Sequence, residues 1–329
     1  MQPDISKITI TDNLCRLEHF IANAIIAPRK IMKEWSLVTN QTPAVKIGYV
    51  GQHLASLITG VAGTGSGARG DDLIDGTEVK SCNKVDQVDK CKDCNGHVMR
   101  YESKCSTCGS EKIARKDDSK WLFSVRDEHE LNQYLGLERI LLILMDYPKF
   151  SEGDFKDIRI TAYEIYPKED RASVFRDLIN NHYYNIYLPK ITGKLKGNPM
   201  NLHPFGFQFF KCNPVLTFSC IIKDIDSNPE IHIDKDAYVL PEQDRPSSLP
   251  SMLMPTQLLK EAEWSAFLEK ANYETEVRPL LTENVPYDEL CRIPIKRRVK
   301  ILPFIDEKLR GYIPLRDIKP VIQKAHYQR

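Results

Sequence analysis

Four cysteines, Cys91, Cys94, Cys105 and Cys108, constrain this chain more than any other feature. They form two Cys-x-x-Cys knuckles, each trailed by a glycine and separated by ten residues. Two thiolates on each of two tight turns supply four soft ligands in a tetrahedron. That donor set suits Zn²⁺ at about 2.3 Å and leaves no open position for water. The reading is a structural zinc ribbon spanning residues 86–116, favoured over two redox pairs because the surrounding sequence is polar and poor in core residues. His97 lies inside the ribbon and, with four sulfurs present, is expected to be exposed. The basic residues Lys84, Lys90, Lys92, Arg100, Lys104, Lys112, Arg115 and Lys116 tilt the ribbon toward phosphate contact, with a solvated basic face as the alternative.

With 329 residues the chain is long enough for about two domains at roughly 150 residues each. The remaining cysteines (Cys15, Cys82, Cys212, Cys220 and Cys291) are scattered, and nine in total is an odd number. That usage fits a reducing compartment, with the five read as buried inert thiols. The start, Met1 to Asn13, lacks a basic segment followed by an apolar one, and the longest strongly apolar run is Ile140 to Met145. Neither a secretory signal nor a membrane span is expected, so the reading is a cytoplasmic protein with no membrane partner. With 46 basic and 45 acidic side chains, the total charge neither demands nor excludes nucleic acid.

Apolar spacing predicts an amphipathic helix from Asp12 to near Pro28 and a second from Tyr49 to Thr59. Five glycines then make residues 60–70 a loop that another backbone can approach closely. Strands are predicted at Lys120–Val125, Arg139–Asp146, Ile158–Ile165 and Val215–Ile222, with helices at His129–Leu135 and Ala172–Tyr187. The fold class is α/β: a mixed central sheet flanked by helices, occupying residues 1–240 and carrying the ribbon as an insertion. Four prolines and three serines mark residues 241–256 as a linker. Residues 257–329 then form a smaller C-terminal module with a helix at Gln257–Ala271. A basic segment follows, Arg292 to Lys300, in which Arg297 and Arg298 are candidates for DNA contact or a dimer interface.

The chemistry concentrates in Asp71-Asp72-Leu-Ile-Asp75-Gly76-Thr-Glu78-Val79-Lys80. Asp75-Gly76 predicts a hairpin turn joining two strands, and Glu78 and Lys80, two apart on the second, share a face opposite Val79. Phosphodiester cleavage needs a cation to neutralise charge on the phosphate and a water positioned in line with the leaving oxygen. Mg²⁺ takes hard oxygen ligands. Asp72, Glu78 and the Val79 carbonyl are the expected ligands, with Lys80 orienting or deprotonating the water. A two-residue turn would pair Asp71 with Lys80, whereas a bulged turn would pair Asp72 with Glu78; Asp72 is preferred, with Asp71 kept as a catalytic candidate. The acid-x-Lys triplet recurs at Glu102, Asp118, Asp154, Asp306 and Asp317, so it carries weight here only through its context.

That stretch resembles the PD-(D/E)xK pattern of type II restriction endonucleases, and the cysteine ribbon directly after it resembles most the MamI-type family. The likeness continues through Ser119–Phe123, Ile140–Pro148 and Tyr163–Pro167 and covers most of the first 220 residues. It implies a PD-(D/E)xK nuclease core, catalytic Asp72, Glu78 and Lys80, with Asp71 in the place of the motif's proline, and Mg²⁺ as cofactor. It further implies a homodimer that cuts both strands of double-stranded DNA, leaving 5′-phosphate and 3′-hydroxyl ends, at an interrupted palindrome of the GATNNNNATC kind. One departure is Gln52, at the helical position where many relatives carry a glutamate; it is left out of the catalytic set. Two other readings use the same residues: a non-catalytic zinc-ribbon DNA-binding protein and a structure-specific repair nuclease.

Overall fold

The run Arg139–Asp146 is apolar at six successive positions and buried throughout, and a strand with no polar face belongs at the centre of a sheet. In the computed structural model, which describes residues 13–43, 46–65, 71–241 and 243–316, it lies second in a five-stranded sheet. Three helices, α1 (Asn13–Ile21), α2 (Ala27–Thr39) and α3 (Ile47–Thr59), precede strand β1 (Thr77–Asn83). The ribbon contributes β2 (Val88–Cys91), β3 (His97–Met99) and β4 (Ile113–Ala114). The sheet continues with β5 (Arg139–Asp146), β6 (Ile158–Ile165), β7 (Val215–Lys223) and β8 (Glu230–Ile233). Its order is β1-β5-β6-β7-β8, with β1 parallel to β5 and every other pair antiparallel. The architecture is therefore the mixed α/β sheet expected, and β1 is an edge strand.

The chain divides into two compact units built from alternating segments. The first holds residues 1–121, 137–166 and 215–249, and the second holds 122–136, 167–214 and 250–329. One division, at Leu249, falls inside the expected 241–256 linker; residues 122–136 and 167–214, read by sequence as part of 1–240, belong to the second unit. Nor is 241–256 featureless. Arg245–Ser248 is helical, and Arg245 is buried, donating to the Val239 carbonyl at 2.7 Å.

In the first unit one face of the sheet meets the N-terminal helices. Leu17, Ile21, Leu54 and Ile58 pack against Val79, Leu141, Ile143, Ile160 and Phe218. Gly51 lets α3 lie directly on β1, because a Cβ there would stand 1.9 Å from Ser81 Oγ. The first helix does not end near Pro28. A π-helical turn, Ala22–Ile26, intervenes and the helical run continues through Pro28 to Thr39, the π turn directly preceding the proline whose missing N–H would interrupt regular α-helical bonding. In the second unit, Lys211 is buried and its ammonium donates to the carbonyls of Arg310 and Ile313 at 2.7 and 2.6 Å, tying residues 207–211 to the C-terminal helices. No helix among the described residues is long and apolar enough to cross a membrane.

Two expectations about single residues change. Cys82, Cys212 and Cys220 are buried, and burial pushes each thiol up to about 12, but Cys15 and Cys291 are exposed. Arg298 is fully buried rather than available to a phosphate: it stacks over Trp264 at 4.8 Å and pairs with Glu261 at 2.7 Å.

Candidate active site

The acid-bearing arm makes the bulged turn of the expected hairpin but takes a different strand partner beyond it. Leu73 bridges Gly63, Ile74 donates to the Ala62 carbonyl, and Thr64 donates to Asp72, so residues 72–74 run antiparallel to 62–64. A tight turn, Leu73–Gly76, then leads straight into β1, with Gly76 at φ +80°, a value that glycine adopts without steric penalty. The N–H groups of Leu73 and Asp72 both donate to the Thr77 carbonyl, at 3.1 and 3.0 Å, so the turn closes as the bulged one, with Gly76 as the bulge and Leu73 opposite Thr77, but beyond it Asp71–Leu73 does not continue as a strand alongside Glu78–Lys80. Residues 66–70 of the glycine-rich loop lie outside the described residues.

What brings Asp72 to the site is the open edge of β1. The Val79 N–H donates to Asp72 Oδ2 at 2.7 Å. One residue's N–H and C=O leave a strand on the same side, so the Val79 carbonyl faces that edge as well. Gln52, on α3, donates its side-chain amide to Asp72 Oδ1. Glu78 and Lys80 share the face of β1 opposite the core-facing Val79, as their spacing predicts, and Lys80 Nζ lies 2.5 Å from Glu78 Oε1. Asp71 is exposed near the turn and adds repulsion to both other acids. Asp71, Asp72, Glu78, Val79 and Lys80 thus gather at one end of β1.

Partial burial raises both acids above the ordinary carboxylate range. For Asp72, desolvation outweighs the Val79 N–H, Lys80 and Gln52. For Glu78, desolvation outweighs Lys80, and Asp72 and Asp71 repel it further. Two desolvated carboxylates that repel each other, beside an edge carbonyl, are oxygen donors short of positive charge. A small hard cation fits that set.

Two further residues hold this geometry and were not in the sequence-derived set. Gln52 was set aside for lacking a charge, yet it orients Asp72. Arg139, buried at the start of β5, donates to Thr77 Oγ1 at 2.9 Å and to Asp75 Oδ2 at 2.6 Å, clamping the turn that carries Asp72. Its sequence signal is an arginine opening an otherwise apolar strand.

The ribbon cysteines converge as the knuckles predict. All four sulfurs lie within 4.8 Å of one another, with Cys91–Cys108 at 3.6 Å and Cys94–Cys105 at 3.5 Å, close to the edge of about 3.8 Å in a tetrahedron of 2.3 Å Zn–S bonds. Backbone N–H groups, first that of Cys108, pull the Cys105 thiol down to about 6. The Ser110 N–H also pulls Cys108 down, but the crowding sulfurs of Cys94 and Cys91 push it up to about 12. Four sulfurs so close cannot all be thiolates without a cation, so the residues fit zinc. His97 is exposed and outside the cluster.

One acid and a lysine on the edge strand and a second acid reaching it from the preceding arm are thus brought together in a set of oxygen donors that suits a hard cation. Residues 34–257 match the family described as MamI restriction endonuclease, and the chain belongs to that family. It is similar to the type II restriction enzyme MamI of Microbacterium ammoniaphilum, 28% identical over 166 residues. That match covers 50% of this chain and 48% of the relative, so the chain spans about half the length of the curated relative it matches. No solved structure matches it.

Proposed function

We propose that this protein is a type II site-specific deoxyribonuclease with a PD-(D/E)xK core, working in the cytoplasm as a homodimer that hydrolyses both strands of double-stranded DNA. Family membership and the convergence of Asp72, Glu78 and Lys80 on the open edge of β1 support the reading; that convergence carries it. The carboxylates of Asp72 and Glu78, with the Val79 carbonyl, would hold Mg²⁺. When bound, the cation supplies neutralisation of charge on the phosphate. Gln52 keeps Asp72 turned toward the site, and Asp71 adds negative potential at its rim. Lys80, held by Glu78, orients the attacking water and stabilises the negative charge left as its proton departs. The water oxygen bonds to phosphorus, the bond to the 3′ oxygen breaks, and that oxygen takes up a proton. The ends are a 5′-phosphate and a 3′-hydroxyl. Zinc in the ribbon is structural.

Plasmid DNA incubated with the protein and Mg²⁺, followed by sequencing of the fragment ends, tests this. The reading expects discrete fragments whose ends share one sequence, an interrupted palindrome by the family likeness. Intact plasmid, or ends that follow DNA structure without a common sequence, would overturn it.

A further inference from the structure

Basic residues near phosphate-binding candidates lose their meaning when carboxylates neutralise them, and most candidates named from sequence are neutralised. In the ribbon, Lys84 pairs with Asp117, Arg100 and Arg115 with Asp89, Lys104 with Glu111 and Lys112 with Asp93. In the C-terminal module Arg297 pairs with Glu289 and Glu283, and Arg298 is buried.

One part of the second unit has the opposite character. Residues 178–214 contain no Asp or Glu, whereas 45 acids in 329 residues would put about five in a segment of that length. Within it, a continuous helical stretch (Ser173–Asn181, His182–Tyr187 and Leu188–Thr192) ends in a turn carrying Lys190, Lys194 and Lys196. Lys194 and Lys196 are exposed and Lys190 is half-buried. None of the three makes an ion pair among the described residues.

The turn itself is informative. Lys194 N–H donates to the Ile191 carbonyl and Leu195 N–H to the Lys190 carbonyl, the paired bonds of a helix-terminating Schellman motif. Its left-handed position is usually glycine, yet Lys194 occupies it at φ +58°. Helix termination alone would favour glycine there, and a cation near the helix end complements its dipole without needing that residue. Three lysines on one turn, in an acid-free segment and without an ion pair among the described residues, point to an external anion.

We propose that Lys190, Lys194 and Lys196 form a contact surface for the phosphate backbone of duplex DNA, sequence-independent and separate in chemistry from the Asp72–Lys80 cluster. The proposal rests on the reading that DNA is the substrate. The repeating anions of a duplex match lysines spread over a turn, and such contacts release counterions.

The test is fluorescence anisotropy of the full chain with a labelled duplex of arbitrary sequence, in buffer without Mg²⁺, across an NaCl series. Changing all three lysines to Gln should make the slope of log affinity against log salt shallower by roughly two to three, at about 0.9 for each phosphate no longer neutralised, and weaken binding at least about tenfold near 0.1 M salt. Lys194→Gly alone should weaken binding while raising the melting temperature, because glycine relieves the left-handed turn. A triple variant with the parent's slope and affinity, or a Lys194→Gly variant that is more stable with unchanged binding, overturns the proposal. If the parent still cuts plasmid in that case, the nuclease reading survives. If the parent neither binds duplex nor cuts it, both readings fall.

Discussion

Arg139 joins fold stability to the active site, so its removal gives a quantitative test. Its guanidinium donates to Asp75 and Thr77 in the turn and lies 3.6 Å from Glu164, a carboxylate with no solvent exposure. Tyr166 donates to Glu164 at 2.6 Å, and Arg245 approaches only to 3.8 Å. Arg139→Met would keep much of the buried stem while leaving Glu164 with a distant cation. Breaking a buried ion pair from one side costs ~3–5 kcal/mol, and Arg245 puts this case at about 3. At about 2–4 °C per kcal/mol for a unit of this size, melting should fall by roughly 10 °C. Arg139→Met/Glu164→Gln should recover most of that loss, since it removes the stranded charge. It should not recover cleavage, because Asp75 and Thr77 stay unclamped and Asp72 loses its fixed position. Paired thermal melts and plasmid-cleavage rates read both effects. A single variant within about 1 kcal/mol of the parent, or no rescue by Glu164→Gln, would refute the reasoning.

Three other outcomes are expected. A strong chelator should release one zinc per chain, and hydrogen exchange should then show residues 86–116 losing protection while the five-stranded sheet keeps it, since the ribbon's own core is only Cys91, Val98 and Cys105 with Ile113 against them; unchanged ribbon protection would contradict this. Gly51→Ala should cost ~1–3 kcal/mol by forcing α3 off Ser81 and should slow cleavage through Gln52, with Ser81→Gly restoring both in thermal and kinetic assays. Finally, because the folded-state pKa values of Asp72 and Glu78 are raised, the stability they contribute is present below the unfolded carboxylate range and lost as pH rises through the folded values. Mg²⁺ should therefore raise the melting temperature more at mildly alkaline than at mildly acidic pH, and a pH-independent increment in calorimetry would oppose that account.

The strands were legible where the residues decide them locally. The unbroken apolar run of β5 and the alternation of Glu78, Val79 and Lys80 need no partner to be read, and the cysteine knuckles specify their geometry through ligand chemistry alone. The bulged turn at Asp75-Gly76 was legible too, but the strand partner of the acid-bearing arm beyond it was not. Asp75-Gly76 signals a turn, but whether residues 72–74 lie against β1 or against 62–64 depends on contacts made across a glycine-rich loop. The same limit hid Arg139, whose role comes from a strand far along the chain, and Arg298, whose burial depends on Trp264. Charge counted along the sequence also misleads: the ribbon's lysines and arginines look like a basic patch until their carboxylate partners are placed.

The central claim is that Asp72, Glu78 and Lys80 form a single cation-dependent cutting centre. Measuring duplex affinity and Mg²⁺-dependent plasmid cleavage side by side for the parent, Glu78→Gln and Lys80→Ala tests it directly. The account predicts near-parental affinity for both variants and at least about a hundredfold loss of cleavage, as removal of a group acting on the attacking water requires. Variants that cut at the parent's rate would contradict it.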